Sequence, residues 1–364
     1  MRVLLVLGPS TGGIARHVAD LAADARRRGH EVRVVGPAHA VMRTGDAGRS
    51  WVHPLLAPAV LRRQLAGCEL VHAHGVRAGL LTAAARHLPP RKQLPLVVTW
   101  HNLPNGSLAA RSLTAQRLLA HAADLTLCVS RDLCAHVAGL GGRPVLAPVP
   151  GRARVSAAGA RQRIRHELAV ADHQPLVLTV ARLAHQKGLD VLVQAAARLP
   201  LLAQAGAVVA VAGEGPLRAA LQLQARRAEV DLRLLGPRDD VGDLLAAADV
   251  VVLPSRWEGS PLAAQEALLA GRPLVATDVG GVRELVGDGA RLVPAGDASA
   301  LSAALHELLT DSAQAARLAE AGRRRALQWA GVDDQLAAVL GHYDELAAMA
   351  SARSAAGIAV WASP

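Results

Sequence analysis

Short apolar runs recur along the chain, each followed by a stretch in which apolar positions return every three or four residues. The first series of runs reads RVLLVL, EVRVV, ELVHA, LPLVVTW, LTLCVS and PVLAPV; the second reads PLVLTVA, AVVAVAG, DLRLLG, DVVVLPS, PLVAT and ARLVPAG. Most of them are continuous apolar runs rather than alternations of apolar and polar residues. That is the mark of strands buried on both faces of a parallel sheet, with helices covering each side. The periodic stretches predict helices over 13–28, 77–87 and 107–121, then over 189–198, 216–227 and 261–270, and over most of 297–350. Two doubly wound α/β domains follow, expected to face a central cleft at the carboxyl ends of their strands. The first covers 1–150 and the second 164–332, with GRARVSAAGARQR supplying a linker at 151–163. A helix over 333–350 is expected to return to the N-terminal domain, before a loose tail at 351–364.

A length of 364 residues exceeds what one core usually supports, in keeping with two domains. Phe is absent and there is one Tyr, so Ala, Leu and Val must fill the cores. The three cysteines, Cys68, Cys128 and Cys134, are odd in number and lack metal spacing, which points to a reducing compartment without a disulfide framework. MRVLLVLGPS reads as a buried first strand rather than a signal peptide, and no apolar run reaches membrane-spanning length. A cytoplasmic protein is expected.

Charge is unevenly spread. Counting Lys and Arg against Asp and Glu, residues 1–150 carry a net +11 and residues 171–364 a net −5, within an overall +10. The first half therefore expects an anionic partner, unless the excess is a coding bias toward Arg. Nucleic acid is disfavoured, because no basic platform interleaved with aromatics is visible. An anionic membrane surface, touched peripherally on its inner face, or an anionic acceptor fits better. Arg62, Arg63, Arg91, Lys92, Arg111 and Arg117 are the candidates.

The densest chemistry lies in RWEGSPLAAQEALLAG at 256–271, where Glu258 and Glu266 are separated by seven residues. Ser260 and Pro261 read as the N-cap and first residue of a helix. That helix is apolar on nearly every face, so Glu266 is expected to be buried and to need hydrogen-bond donors. Hydroxyls of a ligand would supply them. Two acids flanking a positively polarised helix N-terminus suit an anionic sugar conjugate.

Further motifs stand in a fixed order: GPSTGGIARHV at 8–18, VVTWHN at 97–102, ARLAHQKGLD at 181–190, VAGEGPLR at 211–218, LLGPRDD at 234–240, RWEGSPLAAQE at 256–266 and RPLVATDVGGVREL at 272–285. Together they resemble glycosyltransferase family 4, the actinobacterial-type group 1 glycosyltransferases of the two-Rossmann GT-B architecture, over roughly residues 1–350. The resemblance implies transfer of a sugar, with retention, from a nucleoside diphosphate to an acceptor hydroxyl of a sugar, lipid-linked or small-molecule acceptor, in cell-envelope or glycoconjugate biosynthesis. It implies that Arg182 and Lys187 hold the donor diphosphate, that Glu258 binds donor sugar hydroxyls and Glu266 the ribose, and that His101 is functional. Gly12 and Gly13 would close a loop over the donor, Gly213 would shape the nucleotide site, and Arg238 would lie beside the base, either as a ligand or as a surface cation. Backbone amides around Gly259, Ser260, Pro261 and Leu262 would meet the departing phosphate. Gly280 and Gly281 read as a tight turn near the donor, with Glu284 capping the next helix. His17 fits either the donor loop or a helix surface. No Asp-x-Asp occurs, so no metal or other cofactor is expected. The order G-x-x-x-G-G departs from the dinucleotide fingerprint, which argues against a dehydrogenase. A nucleotide-sugar 2-epimerase of the same fold and a non-catalytic sugar-nucleotide binder are the remaining alternatives.

Overall fold

A computed structural model of the chain describes residues 1–8, 12–37, 50–52, 58–88, 94–103, 112–199 and 206–355. It divides into two compact units, Met1–Pro150 with Gly331–Pro364, and Gly151–Ala330.

In the first unit, strands β1 (Arg2–Leu7), β2 (Glu31–Gly36), β3 (Ser50–Val52), β4 (Leu70–His74), β5 (Leu96–Trp100), β6 (Leu125–Cys128) and β7 (Pro144–Leu146) form one sheet in the order β3-β2-β1-β4-β5-β6-β7. Every pairing is parallel. Helices α1 (Gly13–Arg27), α2 (Pro58–Gln64), α3 (Val76–His87), α4 (Leu113–Ala122) and α5 (Arg131–Gly139) connect the strands. The helix expected over 107–121 begins at Leu113, where Ser112 caps it by accepting from the Ala115 amide.

The second unit opens with α6 (Ala160–Glu167) and builds a six-stranded parallel sheet. Its strands are β8 (Leu176–Val180), β9 (Val208–Ala212), β10 (Leu232–Gly236), β11 (Val250–Leu253), β12 (Leu274–Thr277) and β13 (Arg291–Val293), in the order β10-β9-β8-β11-β12-β13. Helices α7 (Leu189–Ala196), α8 (Arg218–Arg227), α9 (Val241–Ala247), α10 (Leu262–Leu269), α11 (Val282–Val286), α12 (Ala298–Thr310) and α13 (Ser312–Leu327) cover it. Alternate residues of each strand enter opposite cores: Leu178, Val251, Leu253 and Leu274 pack on one face, Val177, Val250, Val252 and Val275 on the other. Burial on both faces is the physical reason the strands read as unbroken apolar runs.

Two expectations change here. The stretch 151–163 does not serve as a free linker. It lies in the second unit, where the Ala157 amide donates to Asp243 at 2.7 Å and α6 begins at Ala160. The C-terminal helix α14 runs over Val332–Ala355, beyond the expected 350. It buries Leu336, Leu340 and Tyr343 in the core of the first unit, against Val3, Leu5 and Leu7 of β1. Residues 356–364 of the expected tail lie outside the described residues. No described helix is long and apolar enough to cross a membrane.

Both sheets reverse winding direction once: between β1 and β4 in the first unit, and between β8 and β11 in the second. At such a point neighbouring loops leave in opposite directions and open a crevice at the carboxyl edge. Gly12 and Gly13 follow β1, Arg182 and Lys187 follow β8, and Glu258 to Pro261 follow β11, whereas His101 follows β5, Gly213 follows β9 and Arg238 follows β10.

Candidate functional site

At the carboxyl edge of the second sheet, the loops after β8, β9 and β11 approach one another by backbone. Gly188 has φ +60°, and a Cβ there would lie 1.9 Å from the Pro254 carbonyl oxygen. Gly213, at φ +151°, would place a Cβ 1.9 Å from the Ala181 carbonyl, and Gly215 one 2.4 Å from that of Leu183. Only glycine fits where backbones come this close. Hydrogen bonds close the same seams, from the Leu183 amide to the Glu214 carbonyl at 3.1 Å and from the Arg256 amide to the Gln186 carbonyl at 2.8 Å. Glu214 turns back onto its own loop. It accepts from the Gly215 amide at 3.1 Å and from Arg218, and that guanidinium holds its carboxyl below the usual range.

These seams bring Lys187 and Glu258 together across the switch point. The Lys187 ammonium donates to Glu258 Oε1, and the Ser255 hydroxyl donates to the same oxygen at 2.7 Å. Both charges are largely buried, with side-chain exposures of 17% and 6%. Arg256 fixes the frame by pairing bidentately with Asp190 at 2.7 and 2.8 Å while donating to the His185 carbonyl. Arg182 differs. It is exposed and forms no ion pair with any described residue.

Helix α10 begins one residue later than expected. Pro261, at φ −72° and ψ 114°, is its N-cap, and Leu262 is the first helical residue. No side chain caps this end, because Ser260 instead accepts from Gln265 Nε2 at 3.1 Å. The polarised N-terminus therefore opens beside Glu258 and Gly259 with its first amides uncapped. Pro261 itself has no N–H to offer. Glu266 is buried as expected, but its donor is the protein's own Arg154, whose Nε donates to Oε1 at 2.8 Å. Burial pushes the Glu266 carboxyl upward, and Arg154 opposes that shift. Arg238 is engaged by Asp240 and Glu167, at 2.6 and 2.5 Å, so its guanidinium is bound within the unit. Glu284 lies in the first turn of α11, whose N-cap is Gly281. Gly280 takes φ +52°.

In the first unit, His101 follows β5 and is buried. It belongs to a cluster. His74 Nδ1 lies 3.2 Å from His101 Nε2, and the His17 ring centroid is 5.6–5.7 Å from those of His74 and His101. His72, two residues before His74 on β4, bonds Tyr343 Oη of α14 at 2.5 Å and Thr99 Oγ1 at 2.7 Å. His17 lies on the buried face of α1 rather than on a helix surface. Gly12, at φ +136°, and Gly13 form the start of that helix, which has no side-chain cap; residues 9–11 of the same motif lie outside the described residues. Among the described residues no three His, Cys, Asp or Glu side chains converge with metal-ligand geometry.

The model for glycosyl transferases group 1 matches residues 160–325, and that for glycosyltransferase family 4 matches residues 11–148. A D-inositol 3-phosphate glycosyltransferase of Geodermatophilus obscurus is 32% identical over 321 residues, covering 79% of this chain and 70% of that protein. The chain belongs to the group 1 glycosyl transferases. A relative of the same name from Xylanimonas cellulosilytica is 38% identical over 204 residues, 54% of this chain and 47% of its own. The chain spans about half the length of several of the relatives it matches, 47–50%. HepE of Anabaena, crystallised with UDP and glucose, shares the GT-B fold with a TM-score of 0.81 at 23% identity, over 94% of this chain and 99% of that one.

Within this chain, Arg154 and the clustering of His17, His72 and His74 around His101 are what sequence reasoning did not anticipate. The spacing of His72 and His74 on a buried strand was a usable signal, since residues two apart share one face. Arg154 offered none beyond the general need of a buried carboxylate for a donor.

Burial lowers all four histidines, His17 to about 4 and His72 to about 3, with His74 and His101 also well below the ordinary range. The unfolded chain binds these protons below about pH 6.5 while the folded chain does not, so stability is lost as pH falls from 6.5 toward 4. Each histidine contributes a slope of up to about 1.4 kcal/mol per pH unit. Chemical denaturation between pH 7 and 5, above most carboxylate titrations, should show this decline, and a flat profile would contradict it.

Proposed function

We propose that this chain transfers a sugar, with retention of configuration, from a nucleoside diphosphate to an acceptor hydroxyl in cell-envelope or glycoconjugate biosynthesis, without a divalent metal. The observation that carries the reading is the Lys187–Glu258 pair at the switch point of the second sheet, beside the uncapped N-terminus of α10. Lys187, the exposed Arg182 and the amides of Gly259, Ser260 and Leu262 supply positive potential for a leaving diphosphate. Glu258 offers its remaining acceptor sites to donor sugar hydroxyls, and Glu266 binds the ribose. Gly213 shapes the nucleotide site, and Arg238, occupied by Asp240 and Glu167, contributes through its backbone. His101, neutral through burial, donates an N–H to a donor hydroxyl or phosphate. Gly12 and Gly13 leave the α1 N-terminus accessible to an anion.

Glu258 Oε1 already accepts from Lys187 and Ser255, which makes it a poor nucleophile. The reaction therefore proceeds on one face of the sugar. The bond from C1 to the diphosphate oxygen breaks, the acceptor oxygen bonds C1 from the same side, and its proton passes to the leaving phosphate. The named relatives are glycosyltransferases, which favours transfer over epimerisation.

The net +11 over residues 1–150 supports an anionic acceptor or an anionic membrane surface as partner of the first unit, and the relatives named D-inositol 3-phosphate glycosyltransferase fit the former. On α4, the exposed Arg117 lies beside Leu113 and Leu118, which are 56% and 65% exposed. Arg63 is exposed on α2, and Arg62 there donates to the Leu88 carbonyl. Arg91, Lys92 and Arg111 lie outside the described residues.

Changing Arg182 to Ala should lower turnover about 100-fold or more. It should leave the melting temperature unchanged, because Arg182 has no ion partner. Lys187→Ala should lower both, since it leaves Glu258 buried without its counter-ion; near-normal turnover of both variants at saturating donor would sink the assignment. Activity should persist in EDTA, and loss that magnesium or manganese restores would contradict metal independence. Vesicle sedimentation tests the membrane reading. Binding to anionic but not neutral liposomes at low salt, released by high salt, is the expected result, with each basic residue near the surface worth about 1 kcal/mol.

A further inference from the structure

Arg154 is held more rigidly than an arginine in an irregular segment needs to be. Its chain lies directly on α9, where a Cβ at Gly242 would come 2.2 Å from the Val155 carbonyl oxygen and 3.2 Å from the Arg154 carbonyl carbon. On either side, the Gly151 amide donates to Gln265 Oε1 at 2.7 Å and the Ala157 amide to Asp243 Oδ1 at 2.7 Å. The side chain then reaches Glu266 with Nε alone. Nη2 is buried and has no hydrogen-bond partner among the described residues.

That pairing is half-made. Nε–H and one N–H of Nη2 point along the same side of a guanidinium, and a structural arginine commonly lays that side bidentately against a carboxylate. Here the second contact is absent, which leaves a buried donor unsatisfied. A hydroxyl is the group that completes such an arrangement. It donates its proton to the carboxylate and accepts from the guanidinium, whereas a carbonyl or a phosphate oxygen would meet repulsion from Glu266.

We propose that Arg154 is a direct ligand of the donor's ribose, with Nη2 donating to a ribose hydroxyl that in turn donates to Glu266. This rests on the reading of Glu266 as the ribose-binding acid. Arg154 then has two tasks: it opposes the effect of burial on Glu266 while the site is empty, and it makes the bound hydroxyl a two-way contact. Recognition of the hydroxyl becomes sharper than a carboxylate alone provides, because its loss leaves a buried guanidinium donor unpaired.

Calorimetry with UDP, GDP and ADP and with their 2′- and 3′-deoxy counterparts tests the proposal. The wild-type protein should bind its preferred ribonucleotide at least about 10-fold more tightly than one of the deoxy forms. Arg154→Lys keeps the charge but not the fork, and Arg154→Gln removes both. Each should weaken ribonucleotide binding and bring the ribo-to-deoxy ratio toward one. The double variant Arg154→Gln/Glu266→Gln carries no buried charge, which guards against misfolding of a single variant. Its loss of ribonucleotide affinity should be smaller than the two single losses combined. An unchanged ribo-to-deoxy ratio in both Arg154 variants, with Glu266→Gln still weakening the nucleotide, would overturn the role of Arg154 and leave the site assignment intact. Failure of the wild-type protein to bind any of the three diphosphates, or unchanged binding by Glu266→Gln, would overturn the assignment and this inference with it.

Discussion

Close contact between backbones at the carboxyl edge of the second sheet is the constraint on which the candidate site depends. Gly188 against Pro254, Gly213 against Ala181 and Gly215 against Leu183 leave no room for a side chain. Each contact fixes a loop to its neighbour rather than to solvent. Lys187 precedes one of these glycines, and Glu258 follows the proline it touches by four residues, so the charged pair inherits its separation from the backbone. Positive potential held in place before a ligand arrives does not have to reorganise as charge develops on a leaving group.

The two units handle buried titratable groups in opposite ways. In the second, carboxylates go inside with a cation for each: Lys187 with Glu258, and Arg154 with Glu266. In the first, four histidines pack together with no counter-ion among them and remain neutral because burial and mutual repulsion both disfavour protonation. Neutral imidazoles can donate and accept at once, which charged side chains cannot. Polar chemistry is thus kept beside an apolar sheet core in both units, by charge pairing in one and by neutrality in the other.

Most of the architecture was legible because both sheets are buried on two faces, which writes each strand as a compact apolar run. The 250–253 strand, whose successive residues enter opposite cores, is the clearest case. Short helices were harder. Arg131–Gly139 buries only Leu133 and Val137, two positions that fix no period, and Val241–Ala247 is too brief to separate from the strand after it. The start of α10 was displaced by one residue because Ser260 is engaged by Gln265, a side-chain contact that local cap statistics cannot anticipate. Glu266 announced itself as a charge in an apolar helix, Glu258 was legible from its spacing to Glu266, and Lys187 from the resemblance of its motif. Arg154 was not legible, since one arginine among 40 basic residues carries no local sign that it crosses to a helix more than a hundred residues away.

The path of the chain gives the terminal helix an importance beyond its packing. The first unit is interrupted after Pro150 and resumes only at Gly331, so the entire second unit is an insertion within it. During vectorial synthesis the sheet of the first unit leaves the ribosome long before Leu336, Leu340 and Tyr343 exist to cover β1, and His72 waits as long for its phenol partner. The inserted unit, continuous in sequence, can complete its own core first. β1 is therefore made before the second unit and covered only after it, and the nascent first unit exposes an apolar sheet face for the whole interval.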